Sequence, residues 1–252
     1  MTHTAILLAG RRPGLDPLAA SEGLALKALI PVGGQPMVAQ VATTLLDSGA
    51  VSAVRVLTQD VAEIARVLPD DPRVTVHKSG GGIASSVAAI AGSQIAPWPL
   101  FVTTADHPLL TPKTVRSFIV RSQGTDVAVG VVERETVLGR FPANKRTWLK
   151  FKGGWWTGAN LFALDGPAAL PLIRLWSEVE QDRKKGWKLI ARFGPWLLIR
   201  ALTRTITLPA AVATAGRSIG VRVAAIALDD PLAAVDVDKH SDLMLAREVL
   251  GR

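Results

Sequence analysis

The 252-residue chain contains no cysteine and no tyrosine. Without cysteine there can be no disulfide framework, thiolate zinc site, iron–sulfur cluster or cysteine nucleophile. Without tyrosine no phenol can serve as a catalytic acid. Long apolar runs are missing too: none reaches the ~18–20 residues that span a bilayer. The opening MTHTAILLAGRR is no secretion signal, because its apolar stretch is short, no basic segment precedes it and no cleavage pattern follows. The expected location is therefore cytoplasmic, with the inner membrane face reached only by peripheral contact. An apolar fraction of 48% excludes wholesale disorder.

Acidic residues are scarce in one place. Residues 140–204 hold 13 Lys and Arg against 4 Asp and Glu, while the rest of the chain holds 16 against 17. The net charge of +8 thus sits almost wholly in one segment. The same segment carries Trp148, Trp155, Trp156, Trp176, Trp187 and Trp196, six of the seven tryptophans. A near-neutral scaffold with one basic, tryptophan-rich segment should meet an anionic partner there.

Short apolar runs predict strands at 4–9, 53–58, 74–78, 99–106, 125–132, 157–164 and 221–228. Between them, 3.6-residue periodicity predicts helices at 36–48, 61–68, 83–91, 111–122 and 240–250. Thr111 reads as an N-cap with Pro112 at the first helical position. Residues 167–202 should form one or two helices broken at Gly194-Pro195. Strands that are apolar on both faces, alternating with helices, predict an α/β fold with a mostly parallel central sheet covered on both sides. Ligands then bind beyond the carboxyl ends of the strands. Residues 133–157 break the alternation, so the chain is expected to be one domain over 1–252 with a basic insertion at about 133–215.

Three motifs could carry chemistry. LLAGRRPGLDPLA, leading to LKALIPVGGQPM, runs from a strand into a loop with Gly and Arg and then to Lys27. Glycine lets backbone N–H groups approach a phosphate, and Arg and Lys neutralise its oxygens; the same loop could also be a plain tight turn with surface cations. In FVTTADHPLLTP, Asp106 ends a buried strand, a position that suits a hard cation such as Mg²⁺ as well as turn initiation. In AAVDVDKHSDL, Asp236 and Asp238 fall on one side of an extended piece and would repel without a cation between them. Alternatively, Asp238 or Ser241 caps the last helix, and Asp242 suits its first turn.

In order and spacing, these motifs resemble the nucleotidyltransferases of the molybdopterin-guanylyltransferase-like family. That family opens with LAGGxxRxGxxxKPLxPVxGKPxL, here LAGRRPGLDPLAASEGLALKALIPVGGQPM. It carries Asp-Xaa-Pro after a central strand, here ADHPLL, and often ends with DVDTPEDL, here DVDKHSDL. The resemblance covers roughly 4–132 and 221–250. Two features depart from the pattern: Arg11 replaces the second Gly, and the stretch before Lys27 is longer.

The resemblance implies a three-layer αβα Rossmann-like fold of the glycosyltransferase-A type and Mg²⁺-dependent transfer of a nucleoside monophosphate from a triphosphate to a phosphorylated small-molecule or lipid-precursor acceptor, with release of pyrophosphate. Leu8, Ala9, Gly10, Arg12 and Gly14 would line the triphosphate. Lys27, Arg11 and Asp106 would be catalytic, and Asp106, Asp236 and Asp238 would hold the metal. Gly81, Gly82 and Ser86, in SGGGIASSV, would contact base and ribose. That loop is similar to a cytidylyltransferase segment but is one residue shorter and lacks its Arg, which favours CTP with GTP next. Arg140, Lys145, Arg146 and Asn160 would contact the acceptor. A phosphate nucleophile is already anionic, so no general base is required. Other uses of the same chain are glycosyl transfer from a nucleotide sugar, or a catalytically degenerate protein binding a membrane or partner. The basic helix at 183–204 suits a membrane surface or a homodimer contact. No nucleic-acid module is recognisable.

Overall fold

The computed structural model describes residues 2–11, 14–80, 82–181 and 193–251. Its centre is an eight-stranded sheet. In chain order the strands are β1 (His3–Leu8), β4 (Val51–Thr58), β5 (Val74–Lys78), β6 (Leu100–Thr104), β7 (Val127–Glu133), β8 (Leu149–Phe151), β9 (Gly154–Leu164) and β10 (Val223–Leu228). A separate two-stranded ribbon is formed by β2 (Pro31–Val32) and β3 (Gln35–Pro36). Across the sheet the order is β5-β4-β1-β6-β9-β7-β10, with β8 appended to β9. All neighbours on the main path are parallel except β9, which runs antiparallel to both β6 and β7.

Strand β1 explains the layering. Its side chains alternate, so Ala5 and Leu7 enter one core while Ile6 and Leu8 enter the other. On the first face, Val41 and Leu45 of helix α2 (Met37–Asp47) and Val115 and Phe118 of α5 (Pro112–Arg121) cover the sheet. On the second, Val87 of α4 (Ile83–Ile90) and Ile173 of α7 (Leu170–Gln181) do so. This is the expected three-layer αβα fold. Thr111 caps α5 by accepting from Thr114 N at 3.2 Å, and Pro112 starts the helix, as the sequence predicts.

Several elements were not legible beforehand. Helix α1 (Pro17–Ser21) is capped by the Asp16 carboxylate, which accepts from Leu18 N and Ala19 N at 3.0 Å. The helix expected at 61–68 is the shorter α3 (Val61–Ala65). Segment 133–157 contains helix α6 (Arg134–Arg140) and β8, and β9 within 133–215 belongs to the central sheet. Of the helical stretch expected at 167–202, α7 ends at Gln181, residues 182–192 lie outside the described residues, and α8 (Pro195–Leu202) begins at Pro195 after Gly194, whose φ is +86°. Helix α9 (Leu208–Ser218) precedes β10, and α10 (His240–Leu250) ends the fold. The chain runs from β1 outward through β4 and β5 on one side and returns to place β6 on the other, so the crevice between the loops after β1 and β6 is the switch point where such sheets take ligands.

Candidate active site

Loop 9–16 and loop 105–111 start together, because Ala105 N donates to the Leu8 carbonyl at 2.9 Å. Asp106 follows directly. The segment carrying Asp236 and Asp238 crosses it, tied by Val237 N donating to the Asp106 carbonyl at 2.8 Å. From the 3₁₀ turn Lys27–Leu29, Lys27 reaches the same point. Its Nζ donates to Asp106 Oδ2 at 2.6 Å and to Asp238 Oδ1 at 2.8 Å. One ammonium therefore joins one residue from each of the three motifs.

Burial alone would lower the Lys27 pKa, but the charge of Asp106 and the bonds to both carboxylates outweigh it and raise the pKa above its ordinary value. Lys27 stays a cation and cannot act as a base. Burial likewise pushes Asp106 up, and the Lys27 ammonium more than reverses this, leaving it below the usual carboxylate range. Next to it, burial holds the His107 imidazole below its ordinary pKa despite the nearby Asp236 and Asp106 charges.

A second cluster adjoins the first. The Asp236 carboxylate pairs with the Arg146 guanidinium and accepts from Asn160 Nδ2 at 3.3 Å. Asn160 can point there because β9 is irregular: its register against β7 shifts between Val129 and Val131, and Asn160 takes a left-handed φ of +52°. Gly130 opposite makes room, since a Cβ there would lie 3.0 Å from Leu161 Cβ. Left-handed backbone at a non-glycine residue beside a charged cluster is strain of the sort found at functional sites. Lys145 contributes its carbonyl, which accepts from Lys239 Nζ at 3.3 Å. Arg140 is exposed, with its guanidinium over the Phe141 ring.

The loop after β1 is held from β4. Arg11 N donates to Gln59 Oε1 at 2.9 Å, and Arg11 Nε to Asp60 Oδ2 at 3.1 Å. A Cβ at Gly10 would sit 3.2 Å from the Gln59 amide, a tight approach. Gly14 has φ +100°. Leu8 and Ala9 spend backbone groups on the sheet, Ala9 N donating to the Leu57 carbonyl at 2.9 Å. Gln59 Nε2 also donates to the Gly80 carbonyl at 3.2 Å, so it staples the two Gly-bearing loops together. Ser86 Oγ accepts from Gly80 N at 3.1 Å and donates to the Gly82 carbonyl. Glu180 of α7 caps α4, its carboxylate accepting from Ile83 N at 2.7 Å and Ala84 N at 2.9 Å. Arg12 and Gly81 lie outside the described residues.

Sequence reasoning missed Gln59, Asp60, Glu180 and His107 as members of this region. Gln59 and Asp60 had a signal, being the polar residues just after a strand's carboxyl end. Glu180 had none, because it arrives from the far end of another helix. Of the alternative reading of the third motif, the cap at Asp238 or Ser241 is not realised, since Lys239 is the N-cap, whereas Asp242 does take its expected place in the first turn. Asp238 engages Lys27, while Asp242 closes the capping box of α10, accepting from Asp238 N and Lys239 N at 3.2 Å.

Among the described residues no three His, Cys, Asp or Glu side chains gather as a metal cluster. The donor set at Lys27 nevertheless suits a hard cation completed by phosphate oxygens. Two carboxylates converge there, and Asp106 Oδ1 is buried with no hydrogen-bond partner.

A solved hypothetical transferase from Thermus thermophilus is 29% identical to this chain, covering 96% of this chain and 100% of that one with a TM-score of 0.79. The 2-C-methyl-D-erythritol 4-phosphate cytidylyltransferase of the same organism is similar at 14% identity, with 100% of both chains covered and a TM-score of 0.56. A CMP:2-keto-3-deoxy-manno-octonic acid synthetase solved with CTP is similar at 13% identity, with 99% of both covered and a TM-score of 0.60. No curated protein matches the sequence significantly. The MobA-like NTP transferase domain matches residues 9–142, a span that includes the Gly10 loop, Lys27 and Asp106. With its fold and its switch-point crevice in agreement with that match, the chain belongs to the MobA-like NTP transferase family and is a nucleotidyltransferase.

Proposed function

We propose that the protein acts as one domain and transfers a nucleoside monophosphate, CMP from CTP in preference to GMP from GTP, to a phosphate monoester on a small molecule or lipid precursor. The observation that carries this reading is the Lys27 ammonium held between Asp106 and Asp238 at the mouth of the Gly10 loop. An oxygen of the acceptor phosphate attacks the α-phosphorus in line. The bond from that phosphorus to the bridging oxygen breaks, and pyrophosphate leaves.

The nucleophile carries its charge before the reaction starts, so the residues' task is positioning and neutralisation. Lys27, fixed as a cation, offsets charge on the triphosphate, and Arg11 adds a second cation from the loop. Asp106 and Asp238 would hold Mg²⁺, without the Asp236 named from the sequence because Arg146 and Asn160 engage its carboxylate, and the ion when bound would supply charge neutralisation and orientation for the phosphates. Arg146, steered by Asp236, offers a planar fork to the acceptor phosphate, and Asn160 adds an amide. Arg140 and Lys145 extend this cationic side. Gly81, Gly82 and Ser86, the last in the first turns of α4, would contact base and ribose. The preference for CTP is supported by similar solved structures, one cytidylyltransferase and one CMP-sugar-acid synthetase holding CTP.

The test is to incubate the protein and Mg²⁺ with each of four triphosphates and a panel of phosphate monoesters. Pyrophosphate release and the mass of the product are then followed. The expected result is a CDP-linked product from at least one acceptor. Hydrolysis or transfer from a nucleotide sugar with no triphosphate reaction would overturn the proposal.

A further inference from the structure

We propose that helix α8, Pro195–Leu202, is a docking element for an anionic lipid bilayer. The helix is half-embedded. Leu197 and Ala201 are half-buried, and the helix packs against α9. The opposite arc, read at 100° per residue, runs Leu198, Leu202, Ile199 and Trp196. All four are exposed, Trp196 by 75% and Leu202 by 72%. A soluble surface rarely gathers large apolar side chains in this way unless something covers them.

Charge decides what covers them. Residues 193–228 contain four Lys and Arg and no Asp or Glu. On the helix and just after it, Arg200 and Arg204 are exposed at the border of the apolar arc. Beside them stands the β8–β9 hairpin, tied on by Lys152 N donating to the Ile206 carbonyl at 3.0 Å. It adds exposed Lys150 and Lys152 together with exposed Leu149 and Trp155. A second copy seated here would bring two cationic surfaces together. Anionic headgroups over apolar acyl chains instead match both the charges and the apolar arc, and tryptophan favours that boundary.

The hairpin extends beyond the carboxyl end of β7, at the end of the sheet that holds Asp106 and Asn160, because the first residues of the antiparallel β9 pair with the end of β7. A bilayer on this surface lies on the acceptor side of the crevice. Given the proposed transfer reaction, the acceptor would then be an amphiphile reached from the membrane. The docking itself does not depend on that reaction.

The experiment is co-sedimentation of the full chain with phosphatidylcholine vesicles, with and without phosphatidylglycerol, at low and high salt. A Trp196→Ser/Leu202→Ser double variant is run in parallel. Both side chains are solvent-exposed, so the variant should melt with the parent, which is checked first. Docking requires that the parent sediments with the phosphatidylglycerol vesicles and that the variant binds them about tenfold less tightly. Part of the parent's binding should also persist at high salt. Equal binding by the variant reduces the contact to nonspecific charge and overturns the proposal. So does a parent that stays in the supernatant. A parental dimer in solution that the variant abolishes assigns the face to a second copy and also overturns it.

Discussion

The Lys27 ammonium and the Asp106 carboxylate meet at 2.6 Å although 79 positions separate them in the chain. Each holds the other charged. Asp106 is below its ordinary pKa because Lys27, with smaller help from Thr104 and His107, outweighs the cost of burial. Its charge therefore adds stability that is present above the unfolded value of 3.8 and is lost as pH falls through the depressed folded value. In Lys27→Met burial is opposed only by the smaller effects of Thr104 and His107, so the folded value should rise above the unfolded one. The sign then inverts: relative to the parent, the variant should lose stability as pH rises above the carboxylate range. Melting temperatures across an acid-to-neutral series read this directly. In the same variant, pyrophosphate release should fall about 10²–10³-fold, the size of effect seen when one charge-stabilising group is removed.

Asn160 combines an amide with a left-handed backbone. Asn160→Ala and Asn160→Gly both delete the amide, but only glycine accepts the backbone without cost. The alanine variant should be less stable than the glycine variant by about 1 kcal/mol, measured by denaturant unfolding. Both should raise the KM for the acceptor and leave that for the triphosphate unchanged.

Glu180 places a carboxylate on the N-terminus of α4, beside the loop assigned to base and ribose. Glu180→Ala removes a cap, which should cost about 1 kcal/mol of stability. It also removes a negative charge facing an anionic ligand. The KM for the triphosphate should fall about two- to fivefold, matching the roughly 0.3–1 kcal/mol a charge is worth at a helix end. A rise in KM would mean that the carboxylate helps to hold the nucleotide.

At the opposite edge of the sheet, Asp126 accepts from Arg222 N at 2.8 Å and from Arg222 Nε at 3.1 Å, pinning β10 beside β7. Asp126→Asn should destabilise the fold by about 1–3 kcal/mol while nucleotide binding is unchanged. Its side-chain bonds to Arg222 hold the Asp126 pKa below 3.8, so this contribution too vanishes in acid. Parent and variant should converge in stability as pH falls through that range.

What the sequence revealed follows from which signals are local. Apolar alternation in β1 and the Thr111-Pro112 cap are written in neighbouring residues, and both layers and helix starts could be read from them. Lys27, Asp106 and Asp238 could be named one by one from their motifs. Their meeting on a single ammonium could not, because it depends on Val237 crossing Asp106. The direction of β9 was hidden for a related reason: a buried strand reads the same whether its neighbours are parallel or antiparallel. Asn160's left-handed turn arises from the register shift opposite Gly130, which needs two strands at once. Glu180 reaches α4 across 96 positions or more, beyond any periodicity.

The most direct measurement is a thermal-shift panel of CTP, GTP, ATP and UTP, each with and without Mg²⁺, on the parent and on Lys27→Met. A ligand that binds only the folded state raises its melting temperature. The expected result is a Mg²⁺-dependent rise for the parent, largest with CTP, that is lost in Lys27→Met. No rise with any of the four, or an equal rise in the variant, would contradict a triphosphate site built on Lys27.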